Sequence, residues 1–499
     1  ILLVFLGFSA ALRALQTYIA EIIQQRIYVR VSADLSQRLP RVQTEFWDHH
    51  YGPEFVNRFF DVVTVQKVTS QLLLDGVALA LQTFVGMTVI AFYHPLLLGF
   101  DLILLAIVAG IVLVLGRGAV KSAVDESKYK YRTAAWLQEL ARHRTTFHGR
   151  SSMKFALDVA DRQVTNYLLA RQAHFRVLMR QIVAALGLQA IASTVLLGLG
   201  GWLVIQGELT LGQLVAAELI VTVIVGSFAK IGKHVESYYD VVAAADKLGY
   251  LFDMPINRSE GVDLPVRGGG ISVALNSVGV ESAGGLSKSA ANLRLAPGEQ
   301  AVLVGGAASD RTRLLETIVG LRAPASGYVE LDGFDARRLR IDSILDQAAL
   351  VGRIEIFEGS IAENLHLGRP QATEARVRQA LATVELRDEL LAMPEGLDAS
   401  VTTGGHELSY DQHVRLMLAR ALAGNPRMLL IDGLLDGLPD PMLATILPRL
   451  SSTAGELTLI ISTGRREVAA ALSRVVNLDP SQSDRRFPLN GRDEPGAGD

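Results

Sequence analysis

The sequence predicts an α-helical membrane domain followed by an α/β domain with a mainly parallel sheet. Three observations carry this. Apolar segments of about 20 residues, enough to cross a bilayer, recur through the first half. Short apolar strands alternate with helical stretches in the second half. Between them lies the Pro- and Gly-rich stretch 250–270, YLFDMPINRSEGVDLPVRGGG. Hydrophobic residues make up 49% of the 499, and mean hydropathy is +0.29, too apolar for an ordinary soluble protein. A net charge of −3 gives no reason to expect nucleic acid as a partner, and the absence of cysteine excludes disulfides, thiolate metal sites and cysteine nucleophiles. The expected organisation is a membrane domain over 1–250 with long cytoplasmic helical extensions, a linker over 251–270, an α/β domain over 271–479 and a disordered polar tail over 480–499.

The apolar segments run roughly over 1–24, 70–93, 95–116, 183–206 and 211–232. The chain opens at Ile1 inside an apolar run, read as a clipped N-terminus rather than a signal peptide. The second and third segments are joined by Tyr93-His94-Pro95, the fourth and fifth by Gln206 to Thr210, and neither turn has Lys or Arg. Between residues 117 and 180 there are 13 Lys and Arg against five acids, so the long connections face the cytoplasm and the short turns face outward. Those connections have few breakers and read as helices continuing below the membrane, turning at HHYGPEF (His49 to Phe55) and FHGRSSM (Phe147 to Met153). Two carboxylates interrupt the apolar segments, Asp101 about 9 Å below the outer surface and Glu218 near mid-membrane. Each is a candidate for the transport path, facing a cavity; pairing across the bundle is the structural alternative.

In the second half, the strand EQAVLVG is followed by small residues and the helix RTRLLETIVGL, the frame of a phosphate-binding loop. Such a loop reads G-x-x-x-x-G-K-[ST]. Here Gly305 is followed at the matching positions by Asp310, Arg311 and Thr312. Four more landmarks follow in order: FEGSIAENL (Phe357 to Leu365), LSYDQHVRLMLARAL (Leu408 to Leu422), NPRMLLID (Asn425 to Asp432) and LTLIISTGR (Leu457 to Arg465).

These landmarks resemble, respectively, the segment after the Q-loop, the signature helix, the Walker B strand and the switch strand of an ATP-binding-cassette (ABC) exporter. In the membrane half FWDHHYGPEFVNRFFDVV resembles the first coupling region, and GELTLGQLVAA the turn into the last membrane helix. The resemblance covers nearly the whole chain. It implies a half-transporter with six membrane helices, of which the first precedes Ile1. It also implies ATP with Mg²⁺ as the ligand, a second half-transporter as partner, and a cytoplasmic nucleotide-binding domain.

The residues inside that frame depart from the family. Gly305, Gly306, Ser309, Asp310, Arg311 and Thr312 form a vestigial phosphate loop. Asp310 would aim a carboxylate at phosphate oxygens, and Arg311 replaces the compact lysine with a bulkier planar group. Thr312 and the Walker B Asp432 still suit Mg²⁺, the one metal implied. The Q-loop glutamine, the glutamate after Walker B and the switch histidine correspond to Gly352, Gly433 and Gly464, so no catalytic residue is identified. Ser282 stands at the adenine-stacking position. In the signature loop Ser409 and Gln412 remain, but Tyr410 and Asp411 replace two glycines. Ser409 fits either a loop for the opposite subunit's γ-phosphate or a plain helix N-cap.

The expected function is therefore the degenerate subunit of an exporter heterodimer in a bacterial inner membrane, not expected to hydrolyse ATP by itself. The alternative is an inert pseudo-transporter acting as a scaffold or regulator, a homodimer included. The cargo is not legible.

Overall fold

The computed structural model describes residues 2–478, apart from 144, 230, 283–284, 287–289, 453–454 and 473. The polar tail expected over 480–499 lies outside the described residues. The chain divides into two compact units, one of Ile1–Val42 with Phe46–Pro255, the other of Gln43–Glu45 with Ile256–Asp499.

The first unit is helical. Its main helices are α1 (Leu2–Arg38), α2 (Asp61–Tyr93), α3 (Pro95–Gly110), α4 (Ala119–Arg142), α5 (Arg150–Ile205), α6 (Leu211–Ala229) and α7 (Ile231–Phe252). Among the described residues four stretches are long and apolar enough to cross a membrane: Leu3–Arg41, Asn57–Tyr93, Pro95–Leu115 and Arg150–Ile205. The fifth expected segment is apolar over Leu211–Thr222, and the side chains of 223–236 are outside those described. At 56 residues α5 is about 84 Å long, far beyond a hydrocarbon core of about 30 Å, so most of its polar first half continues below the bilayer. Buried Leu97 and Leu104 of α3 pack with Leu196 and Leu203 of α5 and Val221 of α6.

The two short turns fold through local capping. His94 Nδ1 accepts the Leu96 N–H at 3.1 Å and Pro95 opens α3. Gln213 Oε1 accepts the Thr210 N–H, while the Thr210 hydroxyl accepts the Gln213 N–H. His94 Nε2 lies 3.1 Å from Glu208 Oε2, joining the two turns. Past α3 a π-helical turn over Ile111–Leu115 ends at Gly116, where a Cβ would lie 2.7 Å from both Gln181 Nε2 and Tyr239 Oη. The chain passes there through a gap that no side chain would fit.

The second unit begins with a four-stranded antiparallel sheet, of which β1 (Val273–Gly279) and β2 (Ala291–Leu295) belong to its first part. Then come β3 (Gln300–Val304), α8 (Ala308–Ile318), β4 (Ser326–Leu331), β5 (Phe334–Asp335), β6 (Ala348–Val351), α9 (Tyr410–Ala423), β7 (Met428–Asp432), α10 (Asp440–Ser451), β8 (Thr458–Ser462) and β9 (Val475–Asn477). The antiparallel sheet has the order β2-β1-β4-β5, and a five-stranded parallel sheet the order β9-β3-β8-β7-β6. Successive side chains of a strand point to opposite faces. Leu429 and Ile431 of β7 accordingly join a core with Val414 and Leu418 of α9, while Met428 and Leu430 join one with Leu314 and Ile318 of α8. Burial on both faces explains why these strands read as unbroken apolar runs. The register pairs Asp432 with Ser462 and Ser462 with Leu303, so the carboxyl ends of β3, β6, β7 and β8 open on one edge.

Candidate nucleotide site

That edge is where an open α/β sheet holds ligands. The loop from β3 into α8 turns through Gly305 and Gly306 at φ 74° and 60°, a region open to glycine without steric cost. Ala307, the residue before α8, supplies no side-chain cap. The first N–H groups of α8 therefore face the loop, as an anion site requires.

The side chains answer differently. Arg311 Nη1 donates to the Gly305 and Gly306 carbonyls at 2.9 and 3.1 Å, and its Nε donates to Ser462 Oγ at 3.2 Å. The guanidinium is thus folded onto its own loop and braced on the end of β8. Asp310 lies in the first turn of α8, where its negative charge suits the helix dipole. Ser309 Oγ donates to Asp310 Oδ1 at 3.4 Å, a long contact. Thr312 Oγ1 donates to Asp432 Oδ2 at 2.5 Å, so the hydroxyl and carboxylate that suit Mg²⁺ meet directly.

Gly352 and Gly433 adjoin Asp432, while Gly464 lies against Asp436. A Cβ on Gly352 would lie 2.8 Å from Asp432 Cβ, so the two backbones approach too closely for a larger residue. Gly433 has φ 63°, with open space where a Cβ would go. Gly464 donates its N–H to Asp436 Oδ2 at 2.9 Å, and Thr463 Oγ1 donates to Asp436 Oδ1. Asp436, which sequence reasoning missed, thereby fastens the loop after β8 to the turn after β7. Nothing in its local sequence announces that contact.

The signature loop forms a separate knot. Ser409 is the N-cap of α9 in a full capping box: its Oγ accepts the Gln412 N–H at 3.3 Å and Gln412 Oε1 accepts the Ser409 N–H at 2.9 Å. The same hydroxyl donates to Asp411 Oδ1 at 2.6 Å. Arg415, only 1% exposed, donates to Asp411 Oδ2 at 2.7 Å and to Glu389 Oε1 and Oε2 at 2.6 and 2.9 Å. Ser409 and then Arg415 hold the Asp411 carboxyl below the usual range, and Arg415 does the same for Glu389. Tyr410 packs on the turn after β7, its ring 2.5 Å from where a Gly437 Cβ would lie. Sequence reasoning missed the Asp411-Arg415 pair, for which the four-residue spacing on one helix was the available signal.

The family models divide the chain as the fold does. Residues 1–228 match the ABC transporter transmembrane region and residues 289–434 match the ABC transporter domain, together well over half of the chain. The chain belongs to the ABC transporter family. It is 23% identical over 485 residues to the alpha-hemolysin translocation ATP-binding protein HlyB of Escherichia coli O157:H7, and 25% identical over 489 residues to the leukotoxin translocation ATP-binding protein LktB of Mannheimia haemolytica. Each match covers 95% of this chain, which spans 67% and 66% of the two relatives. A bacterial Atm1-family ABC exporter solved with ATP bound superposes with a TM-score of 0.85 at 17% identity, covering 95% of this chain and 84% of that one. As an ABC transporter the chain is a multi-pass membrane protein with a cytoplasmic nucleotide-binding domain, of a family that binds ATP and works as dimers.

Within this ABC domain the structure brings Gly305, Gly306, Arg311, Thr312, Gly352, Asp432, Gly433 and Gly464 to one edge of the sheet. Ser409 and Gln412 sit apart from it, at the start of α9. Asp101 and Glu218 belong to the membrane unit. Asp101 is 3% exposed on the face of α3 that carries Leu97 and Leu104, and its Oδ2 has no partner among the described residues. Glu218 Oε1 accepts from Thr222 one turn along α6 at 3.4 Å, and its Oε2 has no partner among the described residues.

Proposed function

We propose that this chain is the degenerate half of an ABC exporter in a bacterial inner membrane, lending half of the membrane path to a partner subunit that binds and hydrolyses ATP. The observation that carries the reading is the state of the phosphate loop. Arg311 is spent on the Gly305 and Gly306 carbonyls, and Asp310 adds a negative charge in the first turn of α8, beside the loop that would hold phosphate. A nucleoside triphosphate fits this loop poorly. Thr312 and Asp432 retain a hydroxyl and a carboxylate for Mg²⁺, but Gly352, Gly433 and Gly464 offer no group to position or deprotonate water, so no hydrolytic step is assigned here.

A specific observation favours a second reading, the pseudo-transporter that scaffolds or regulates. In a heterodimer the partner's ATP would face this chain's signature loop, where Asp411 presents a carboxylate and the Ser409 hydroxyl is already engaged. Against it stand the two carboxylates of the membrane helices, which an inert scaffold has no use for.

The experiment is gentle solubilisation of the tagged chain from its native membrane, with identification of whatever co-purifies in stoichiometric amount. A second half-transporter with a lysine phosphate loop and a glutamate after its Walker B strand supports the heterodimer. Recovery of this chain alone, or with a protein of another kind, transfers support to the scaffold. The toxins moved by the relatives are the first cargo to test on a recovered pair.

A further inference from the structure

The buried residues of α3 are Leu97, Asp101, Leu104 and Val108, one stripe at helical spacing with a single polar member. Leu97 and Leu104 join one apolar cluster with Ile90 of α2, Leu196 and Leu203 of α5 and Val221 of α6. Asp101, four residues after the first leucine and three before the second, faces the same cluster. It is 3% exposed, and its Oδ2 accepts no hydrogen bond among the described residues. Compensating charge is missing as well. α2 from Val68 onward, all of α3, α5 from Gln181 onward and all of α6 contain no Lys, Arg or His. Along α3 and its continuation the first cation is Arg117, sixteen residues and about 24 Å away. Arg13 of α1 is exposed, and His94, about 10 Å outward, is taken by Glu208 at 3.1 Å. The other acids of these helices, Asp75 of α2 and Glu218 of α6, only add negative charge. A polar residue kept to fix the register of a helix needs a partner to fix it to, and Asp101 Oδ2 has none among the described residues.

An unpaired carboxylate in such surroundings is neutralised rather than left charged. We propose that Asp101 is a proton-binding site of the membrane path, loaded while α3 packs on α5 and emptied when the two helices part. Loaded, the side chain is a neutral carboxylic acid, which the apolar cluster tolerates. As the helices part, water enters and the carboxyl O–H bond breaks. The proton passes to a water molecule, and the carboxylate left behind is hydrated. Closure reverses the step, taking a proton back from water. This rests on the reading that the chain lends half of a transport path, and adds one proton exchanged per opening. A chain with no group of its own to hydrolyse ATP thereby keeps an ionic step in its membrane half.

The test is infrared spectroscopy of the purified full-length chain at about pH 7.5, far above the ordinary carboxylate range, where exposed acids are ionised. Nanodiscs of ether lipids carry no ester carbonyl to overlap the signal. The expected result is a carboxylic acid C=O band that shifts when aspartate is labelled with carbon-13 and is lost in Asp101→Asn. That variant matches the neutral acid in shape and should melt no lower than wild type, which also reports that it folds. In heavy water the band should shift slowly as deuterium replaces the proton. Leu104→Ala loosens the packing beside Asp101 and should speed that exchange by about tenfold. An aspartic acid band that survives Asp101→Asn, or no such band in wild type, overturns the proposal. Exchange that Leu104→Ala leaves unchanged overturns the emptying step. The band belongs to this chain alone, so the two readings fail separately. A half-transporter partner recovered with a chain that shows no band sinks the proton site only; a band in a chain recovered alone sinks the shared path only.

Discussion

Restoring the three missing side chains should not restore ATPase activity, and the three reversions should differ in cost in an order the backbone sets. At Gly464 a Cβ would meet Asp436 Oδ2 at 3.7 Å, ordinary contact on an exposed loop, so Gly464→His should change stability by less than about 0.5 kcal/mol. Gly433 holds φ 63°, a left-handed conformation that costs an L-residue about 1–2 kcal/mol, and Gly433→Glu should lose that amount despite the open space. At Gly352 the added Cβ would fall 2.8 Å from Asp432 Cβ. Relieving that contact displaces Asp432 from Thr312, and overpacking of this kind costs about 1–3 kcal/mol. For a unit of this size 1 kcal/mol moves the melting midpoint by about 2–4 °C. Scanning fluorimetry of the full-length chain in detergent reads all three. A Gly433→Glu variant as stable as wild type, a Gly352→Gln variant that costs nothing, or hydrolysis by the triple variant would refute the argument that the backbone has settled around glycine.

Two predictions concern the signature knot. Arg415→Met removes the shared partner of Asp411 and Glu389, whose side chains keep 27% and 42% exposure. The loss should therefore fall below the 3–5 kcal/mol of a fully buried broken pair, at about 2–3 kcal/mol, read as a lower melting midpoint. The same knot sets an acid limit. Both carboxyls are held below their ordinary values of 3.8 and 4.5, so their contribution is complete above that range and is lost as pH falls through the lowered values. Acid titration followed by intrinsic fluorescence should show wild type unfolding at lower pH than Arg415→Met.

Much of the fold was legible because its causes are periodic. Uniform apolar segments mark the membrane helices, and two-sided burial makes β3, β7 and β8 read as unbroken runs between turns. The loop residues of the site were also legible, since the frame around Gly305 fixes which positions face the edge of the sheet. What the sequence did not carry was the side chains' engagement. Nothing in the order of residues says that Arg311 turns back onto Gly305 and Gly306, or that Asp436 holds the loop at Gly464, because both contacts join residues whose mutual orientation only the assembled sheet defines. For Ser409 the structure supplies a complete capping box, which accounts for the residue without any ligand.

The central claim is that this chain's own phosphate loop no longer serves as a nucleotide site. Equilibrium binding of Mg-ATP to the purified full-length chain, compared with Arg311→Ala, tests it most directly. The account predicts no saturation below about 1 mM, where binding is worth only about 4 kcal/mol, and no difference between the two proteins. Saturable binding in the micromolar range that disappears in Arg311→Ala would contradict it.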